Sequence, residues 1–397
     1  MKPTKQLIST AALTYSGFGV SILSAPLLAR ALEADGRGEL ATFVVVFQVL
    51  GWISYFGFPR GIALSLVQTA QLPARWFFPL AAFGVIGAGI FTAALTVLDV
   101  ASLRQTALLG WAALLICFTG VAQIGYELVH QTGQFAKWNI GRFCLLVLPS
   151  VIQIALYFAD RLSVPTSVVA ILLGQTCWMI VNLHITYRAT RGVPRSAPPV
   201  RSFSLKYWMS ILFDGVGSRL DQVVLAAVAT SSQLGVYAVA VTCASASGAL
   251  TQALNHVAFP SMVAGRAGSS RRDYRRAVVL GFTASLVCGG LIVFVLVLFE
   301  VRIFGPTFDG LVFVAAILIV YQAAADQWLG VVYRNSAAGR GDVLAIASLC
   351  GVGLFGVASF LLIVTHTVSS ISMAGVMVLM GVFRWVVGVQ LMKRVAI

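Results

Sequence analysis

Ionisable side chains inside apolar runs are the residues of this chain most able to do chemistry. A charge at bilayer depth costs at least about 2.5–3.5 kcal/mol unless it faces water or a partner. One run, residues 206–229, carries three such groups, Asp214, Arg219 and Asp221. On a helix Asp214 and Asp221 share a face, whereas Arg219 lies about 160° from Asp221 and about 140° from Asp214. The arginine is not neutralised by its neighbours on the helix. Either these groups form structural ion pairs with other helices, as Arg219 with Asp326 or Asp221 with Arg384, or Arg219 and Arg384, which also falls within an apolar run, are candidates for a cationic cavity wall. Arg60 directly follows the helix-breaking Pro59. A guanidinium beside an interrupted helix is the arrangement transporters use for anionic groups, and its fork donates bidentately to phosphate. Asp214, Asp221, Asp326 and Glu127 are the carboxylates available to couple transport to a proton or sodium gradient.

Other motifs carry less. Gly351-Val-Gly353-Leu-Phe-Gly356 matches the dinucleotide fingerprint, but it has no preceding strand and no acidic residue placed for a ribose. Close helix packing by small residues is its expected role. The four histidines (His130, His184, His256 and His366) are far apart and lack metal-ligand spacing, and the six cysteines are scattered one to an apolar segment. No metal or cofactor is expected.

The elements that must position these residues follow from composition. The chain has 397 residues, 59% hydrophobic and only 10% charged, with a mean hydropathy of +0.92, against about 25% charged in soluble proteins. A water-soluble enzyme is excluded. Apolar runs near 7–29, 40–58, 77–98, 106–125, 140–158, 166–187, 206–229, 235–258, 277–299, 310–330, 343–364 and 370–391 read as twelve transmembrane helices. The second is expected to resume past Pro59 as a short helix to about Gln71. The net charge of +14 reads as topology rather than as nucleic-acid binding. With the amino terminus inside, twenty of the 27 Lys and Arg fall on the cytoplasmic side and five on the other; Arg219 and Arg384 lie within spans. Both termini are expected in the cytoplasm. The basic cluster Arg266–Arg276 reads as a topology anchor or a contact for anionic lipid head groups.

The chain also repeats. Gly38-Glu39-Leu40-Ala41 aligns with Gly235-Val236-Tyr237-Ala238 at an offset of 197, and the following spans each reach a Phe-Pro, at Phe58-Pro59 and Phe259-Pro260. An even number of spans per half predicts parallel lobes related by an axis along the membrane normal. The expected fold is an all-α polytopic membrane protein, two six-helix lobes around a central cavity. The lobes are expected at 1–190 and 204–397, joined by a Pro- and Arg-containing cytoplasmic linker at 191–203.

Arg30-Ala-Leu-Glu-Ala-Asp-Gly-Arg-Gly-Glu39, an apolar span and then Phe56-Gly-Phe-Pro-Arg60 resemble the opening of Wzx-type polysaccharide flippases. These form a branch of the multidrug/oligosaccharidyl-lipid/polysaccharide (MOP) exporter superfamily. Ser218-Arg-Leu-Asp-Gln222 followed by Gln233-Leu-Gly-Val-Tyr-Ala-Val-Ala240 looks like the matching start of that family's second half. The resemblance implies a MATE/MOP-like fold in a bacterial cytoplasmic membrane. Its implied activity is alternating-access flipping of a polyprenyl-pyrophosphate-linked oligosaccharide from the inner to the outer leaflet, for surface polysaccharide biosynthesis. Its implied partners are that lipid-linked glycan, membrane lipids, and a polysaccharide polymerase with other assembly proteins. Of the family's cavity arginines only Arg60 and Arg219 are carried over as candidates. A drug/cation antiporter of the same superfamily needs a mainly acidic or apolar cavity. A membrane glycan polymerase or ligase is disfavoured by outer connections of about a dozen residues or fewer, which offer no site.

Overall fold

The computed structural model describes residues 3–55, 57–98, 106–195, 217–263, 271–337 and 341–395. Thirteen helical stretches run through them: α1 (Pro3–Ile53), α2 (Phe58–Thr69), α3 (Phe77–Val97), α4 (Thr106–Gln131), α5 (Phe135–Leu146), α6 (Leu148–Phe158), α7 (Val164–Thr190), α8 (Leu220–Val228), α9 (Ser231–Val263), α10 (Arg271–Phe304), α11 (Leu311–Ala337), α12 (Gly341–Val364) and α13 (Ser370–Val395). The described residues contain no strand, and nine helices among them are long and apolar enough to cross a membrane. The fold is all-α, and the protein is a multi-pass membrane protein.

Eleven of the twelve predicted runs map onto these helices with local differences; of the seventh, residues 206–216 lie outside the described residues and α8 covers its end. The first two form α1, separated by a break at Glu33 (φ 56°, ψ −175°) rather than by a loop. Residues 140–158 divide into α5 and α6, because Pro149 at the head of α6 has no N–H to continue the ladder. Past Gly57, held in the left-handed region at φ 65°, α2 begins with Phe58-Pro59, as the resumed apolar pattern predicts. The two Phe-Pro pairs nevertheless behave differently. Gly57 precedes the first, and the helix restarts; Ala258 precedes the second, and α9 continues through Pro260 to Val263. Without a glycine there is no inexpensive left-handed residue to turn the chain. The start of α7 shows local chemistry matching structure: Ser163 caps Thr166, Thr166 caps Ser163 in return, and Pro165 occupies the first turn.

The chain forms two compact units. Unit 1 comprises Met1–Ser24 and Glu39–Arg219. Its core includes Tyr55, Ile62, Leu72, Leu80, Val121 and Ile124, with Phe58 and Leu183 packed against it. The start of the predicted linker folds back onto this core: Val193 packs there, and Leu72 donates its N–H to the Pro194 carbonyl at 2.8 Å. From residue 196 the linker lies outside the described residues, as do residues 266–270 of the basic cluster.

Unit 2 comprises Ala25–Gly38 and Leu220–Ile397, so a strap from the middle of α1 packs with the second half of the sequence. The strap meets α9 backbone to backbone. A Cβ on Gly38 would overlap the Ser231 carbonyl, and one on Gly235 would overlap the Ala34 carbonyl. Position 231 is 34 shifted by 197, and 235 is 38 shifted by 197. The contact is therefore reciprocal at the offset of the internal repeat, as across a two-fold axis. Arg30 ties the other end of the strap, donating from Nε to the Ile303 carbonyl at 3.0 Å. In contrast, α10 and α12 present rows of large apolar side chains outward, including Val287, Leu291 and Phe294 on α10 and Val357, Phe360 and Leu361 on α12. That pattern is a lipid-facing surface.

Candidate functional site

In unit 1, the candidate residues that meet are Arg60 and Glu127. Ile62 is buried in the core at 1% exposure; two residues earlier on α2, Arg60 emerges on the opposite side of the helix. On α4, Ile124 is buried and Glu127 lies one turn on. Arg60 Nε lies 4.0 Å from Glu127 Oε2, with side chains 38% and 13% exposed. A cation in the first turn of α2 opposes the helix dipole, and the carboxylate offsets that cost. Gln123 Nε2 approaches Glu127 Oε1 at 3.5 Å. More than a third of the arginine side chain is accessible.

An aromatic group involves the residue before Glu127 on α4, and sequence reasoning missed it. Tyr126 on α4 packs against Trp138 and Trp178 with ring centroids 6.0 and 5.9 Å away. His130 stacks on Trp138 at 4.9 Å, and the Arg142 guanidinium lies 4.8 Å from the centre of the same ring. The available signal was Tyr126-x-x-x-His130, one helical turn apart and flanking Glu127, with Trp138 and Arg142 spaced alike on α5. Tyr126 and Trp178 belong to a core cluster with Ala122 and Cys144, and Trp138 carries the Arg142 guanidinium on its face.

In unit 2 the centre of the chemistry is Asp326 on α11, 2% exposed. Three helices donate to it: Ser285 Oγ from α10 at 2.9 Å, Gln252 Nε2 from α9 at 3.2 Å, and Gln322 Nε2 from its own helix at 2.8 Å. Thr251 extends the network, 2.8 Å from the Ser285 hydroxyl and donating to the Gly281 carbonyl at 3.1 Å. Gly248 makes the room, since a Cβ there would stand 2.5 Å from Asp326 Oδ2. Buried beside it, Gln327 Nε2 has no hydrogen-bond partner. A buried carboxylate surrounded by amide and hydroxyl groups has the donor and acceptor set to exchange a proton or hold a small cation. Asp326 was legible as an intramembrane acid; its partners were not, because they come from three helices.

The remaining candidates separate. Asp221 is buried at the start of α8, its Oδ2 accepting from Tyr237 Oη at 2.6 Å and its Oδ1 from the Gln222 N–H at 2.8 Å. These bonds fasten α8 to α9. Arg384, 3% exposed, lies with its guanidinium 5.0 Å from the centre of the Trp328 ring, and its stem packs against Gly351. Arg219 stands in the turn before α8, not within a helix, so the angles expected between it and the two aspartates do not apply. Asp214 lies outside the described residues. The Gly351 motif is also corrected: a Cβ on Gly353 or Gly356 would meet nothing within 4 Å, so only Gly351 sits at a helix contact. Small-residue packing does not explain the other two glycines.

These features define a multi-pass helical membrane protein with charged groups held at a helix break and in a buried polar network. The model of a family described as polysaccharide biosynthesis protein matches residues 27–332, and the chain belongs to that family. No curated protein sequence matches it significantly. Its fold is shared with MOP-superfamily transporters. An inward-facing multidrug resistance MATE family transporter of that superfamily is similar with a TM-score of 0.63 at 12% identity, over 97% of this chain and 98% of that one. An outward-facing one has a TM-score of 0.57 at 14% identity, over 99% and 96%. A MOP-superfamily transporter from Pyrococcus furiosus, described as having a binding pocket of reverse polarity, has a TM-score of 0.52 at 14% identity, over 99% and 96%. As expected from its opening and mid-chain motifs, the chain belongs to a polysaccharide-biosynthesis family and has the fold of MOP-superfamily transporters.

Proposed function

We propose that this transporter flips a polyprenyl-pyrophosphate-linked oligosaccharide from the cytoplasmic to the outer leaflet of a bacterial cytoplasmic membrane, with both termini inside. The observation that carries the reading is Arg60, placed at the α2 break with 38% of its side chain exposed and with Glu127 as a carboxylate partner. A diphosphate cannot cross hydrocarbon without a hydrated cationic path. An incoming diphosphate displaces Glu127 as the guanidinium's counter-anion, which binds substrate without leaving a buried charge uncompensated when the site empties. Membership of the polysaccharide-biosynthesis family supports the glycan, which passes beside the aromatic rings while the isoprenoid tail stays in lipid. Arg219 serves the same anion later in its passage, and Asp326 is the coupling carboxylate, alternately binding and releasing a cation.

Deleting the gene and probing polyprenyl-pyrophosphate-linked glycans with a membrane-impermeant glycosidase tests this directly. Complete units, protected on the cytoplasmic face, are the expected result. Outward-facing unpolymerised units would instead point to a polymerase or ligase. The polar network around Asp326 keeps a drug/cation antiporter as the second reading; unchanged lipids with altered tolerance of cationic drugs would favour it. Wild-type flipping by an Arg60→Ala, Arg219→Ala double variant would overturn the cationic path.

A further inference from the structure

The oxygens that run from Asp326 into α10 and α9 form a chain that is one hydrogen short. Asp326 Oδ2, Ser285 Oγ, Thr251 Oγ1 and the Gly281 carbonyl oxygen follow one another at 2.9, 2.8 and 3.1 Å, three links in series. Ser285 and Thr251 each bring one hydroxyl hydrogen, whereas the carbonyl and an ionised carboxylate bring none. With Asp326 ionised, two hydrogens therefore serve three links, and one link holds two oxygens together with nothing between them. A proton on Oδ2 completes the chain: Asp326 donates to Ser285, Ser285 to Thr251, and Thr251 to Gly281. Both hydroxyls and the carboxylate are buried, so an unmade bond among them is costly. The Gly281 carbonyl tolerates either state, because the helical ladder of α10 already gives it the N–H of Ser285 four residues on.

The other carboxylate oxygen is occupied differently. Oδ1 accepts from Gln322 Nε2 at 2.8 Å and from Gln252 Nε2 at 3.2 Å, so N–H groups stand where a hard metal cation would require oxygens. Along the helices packed against α11, His256 follows Gln252 by four residues on α9 and Cys288 follows Ser285 by three on α10. Arg384 of α13 lies over Trp328, two residues on from Asp326 and about 200° around α11, on the side where α12 packs through Leu344 and Ala347. Cys350 of α12 adjoins Gly351, on which the Arg384 stem packs, and Tyr321 of α11 lies against Gly381 of α13. We infer that Ser285 and Thr251 are a reversible hydroxyl relay that makes Asp326 a site for one proton rather than for a metal cation. Thr251 is the positioning residue of this relay: it reaches the carboxylate only through Ser285. The relay rests on the coupling role proposed above for its place in the transport cycle.

Full-length protein in phosphatidylcholine nanodiscs, titrated with acid and followed by infrared difference spectroscopy, tests this. A protonated carboxyl has its own C=O stretching band, distinct from histidine and cysteine, and the band missing from Asp326→Asn is that of Asp326. In the wild type it is expected to grow as the pH falls. Thr251→Val keeps the side-chain shape but leaves the Ser285 hydrogen without an acceptor once Asp326 is protonated, so protonation no longer gains a bond. The midpoint is expected to move down by about one pH unit, an about tenfold weaker hold on the proton. Thr251→Ala, which also lacks the hydroxyl, is expected to move with it, and Thr251→Ser to titrate as the wild type does. Exchanging potassium for sodium is expected to leave the midpoint in place. No Asp326 band, wild-type midpoints for Thr251→Val and Thr251→Ala, an equal shift in Thr251→Ser, or a midpoint lowered by sodium would each overturn the relay. Gradient-driven transport retained by Asp326→Asn would instead remove Asp326 from coupling while leaving this titration intact.

Discussion

Substituting alanine at Gly38 and Gly235 separates a repeat seen in sequence from a repeat that matters for stability. At either position the new methyl would overlap a main-chain carbonyl, of Ser231 in one case and Ala34 in the other. Backbone cannot rotate away as a side chain can, so relief requires the strap and α9 to part. Overpacking of this kind costs about 1–3 kcal/mol or more. Against it stands the intrinsic gain of alanine over glycine in a helix, up to about 1 kcal/mol. Gly353→Ala and Gly356→Ala on α12 isolate that gain, since a Cβ there meets nothing within 4 Å. Thermal unfolding in detergent, followed by size-exclusion of a fluorescent fusion, is expected to show a fall of a few degrees for Gly38→Ala and Gly235→Ala and no fall for the controls. The double substitution is expected to cost less than the sum of the singles, because the first methyl has already opened the crossing that the second would meet. Gly38→Ala melting with the α12 controls, or strictly additive losses, would refute the reciprocal contact.

Three further outcomes follow from the site geometry. Asp326→Asn keeps the size and most of the hydrogen bonds of the buried network, so the protein is expected to fold and melt within a few degrees of wild type while losing gradient-driven transport in vesicles; retained coupling would remove Asp326 from that role. Arg60→Lys is expected to support substantially less glycan flipping than wild type, and Arg60→Gln less again, because only the guanidinium offers two parallel donors to a diphosphate; a complementation assay in the deletion strain reads the order. Ser163→Ala removes the hydroxyl that accepts from the Thr166 N–H at the start of α7, leaves the bond from the residue 163 N–H to Thr166 Oγ1, and is expected to cost about 1 kcal/mol, read as a lower melting midpoint with transport per folded molecule unchanged.

The parts of this architecture that were legible in sequence are those a single helix can encode. Apolar length placed the spans, Pro59 and the residues after it placed α2, and the Gly38 and Gly235 motifs showed the repeat. Readings that failed depended on one residue of local context or on partners distant in sequence. Phe259-Pro260 looks like Phe58-Pro59, but the absence of a preceding glycine lets α9 run on. Gly351, Gly353 and Gly356 look alike, but only the first faces another helix, because 3.6-residue periodicity turns the others outward. Asp221 and Asp326 are both intramembrane acids, and sequence ranks them equally. One is committed to a tyrosine within sixteen residues of it, and the other to side chains from neighbouring helices up to seventy-four residues away.

That difference in partners bears on which carboxylate can do work in a transport cycle. Asp221 joins α8 to α9 through a short bond to a fully buried tyrosine, so protonating it or pulling it away loosens the seat of the second repeat. Its chemistry is spent on structure. Asp326 draws its donors from α9, α10 and α11, each able to rotate its amide or hydroxyl to a proton or a bound cation instead. A change of charge there alters what three helices share without severing a covalently short connection. The same reasoning distinguishes the arginines: Arg384 is enclosed against Trp328, whereas Arg60 keeps an accessible fork beside a carboxylate that can release it. In the proposed transport cycle Asp326 and Arg60 are therefore the responsive groups of their units, and the charges of Asp221 and Arg384 hold helices in place.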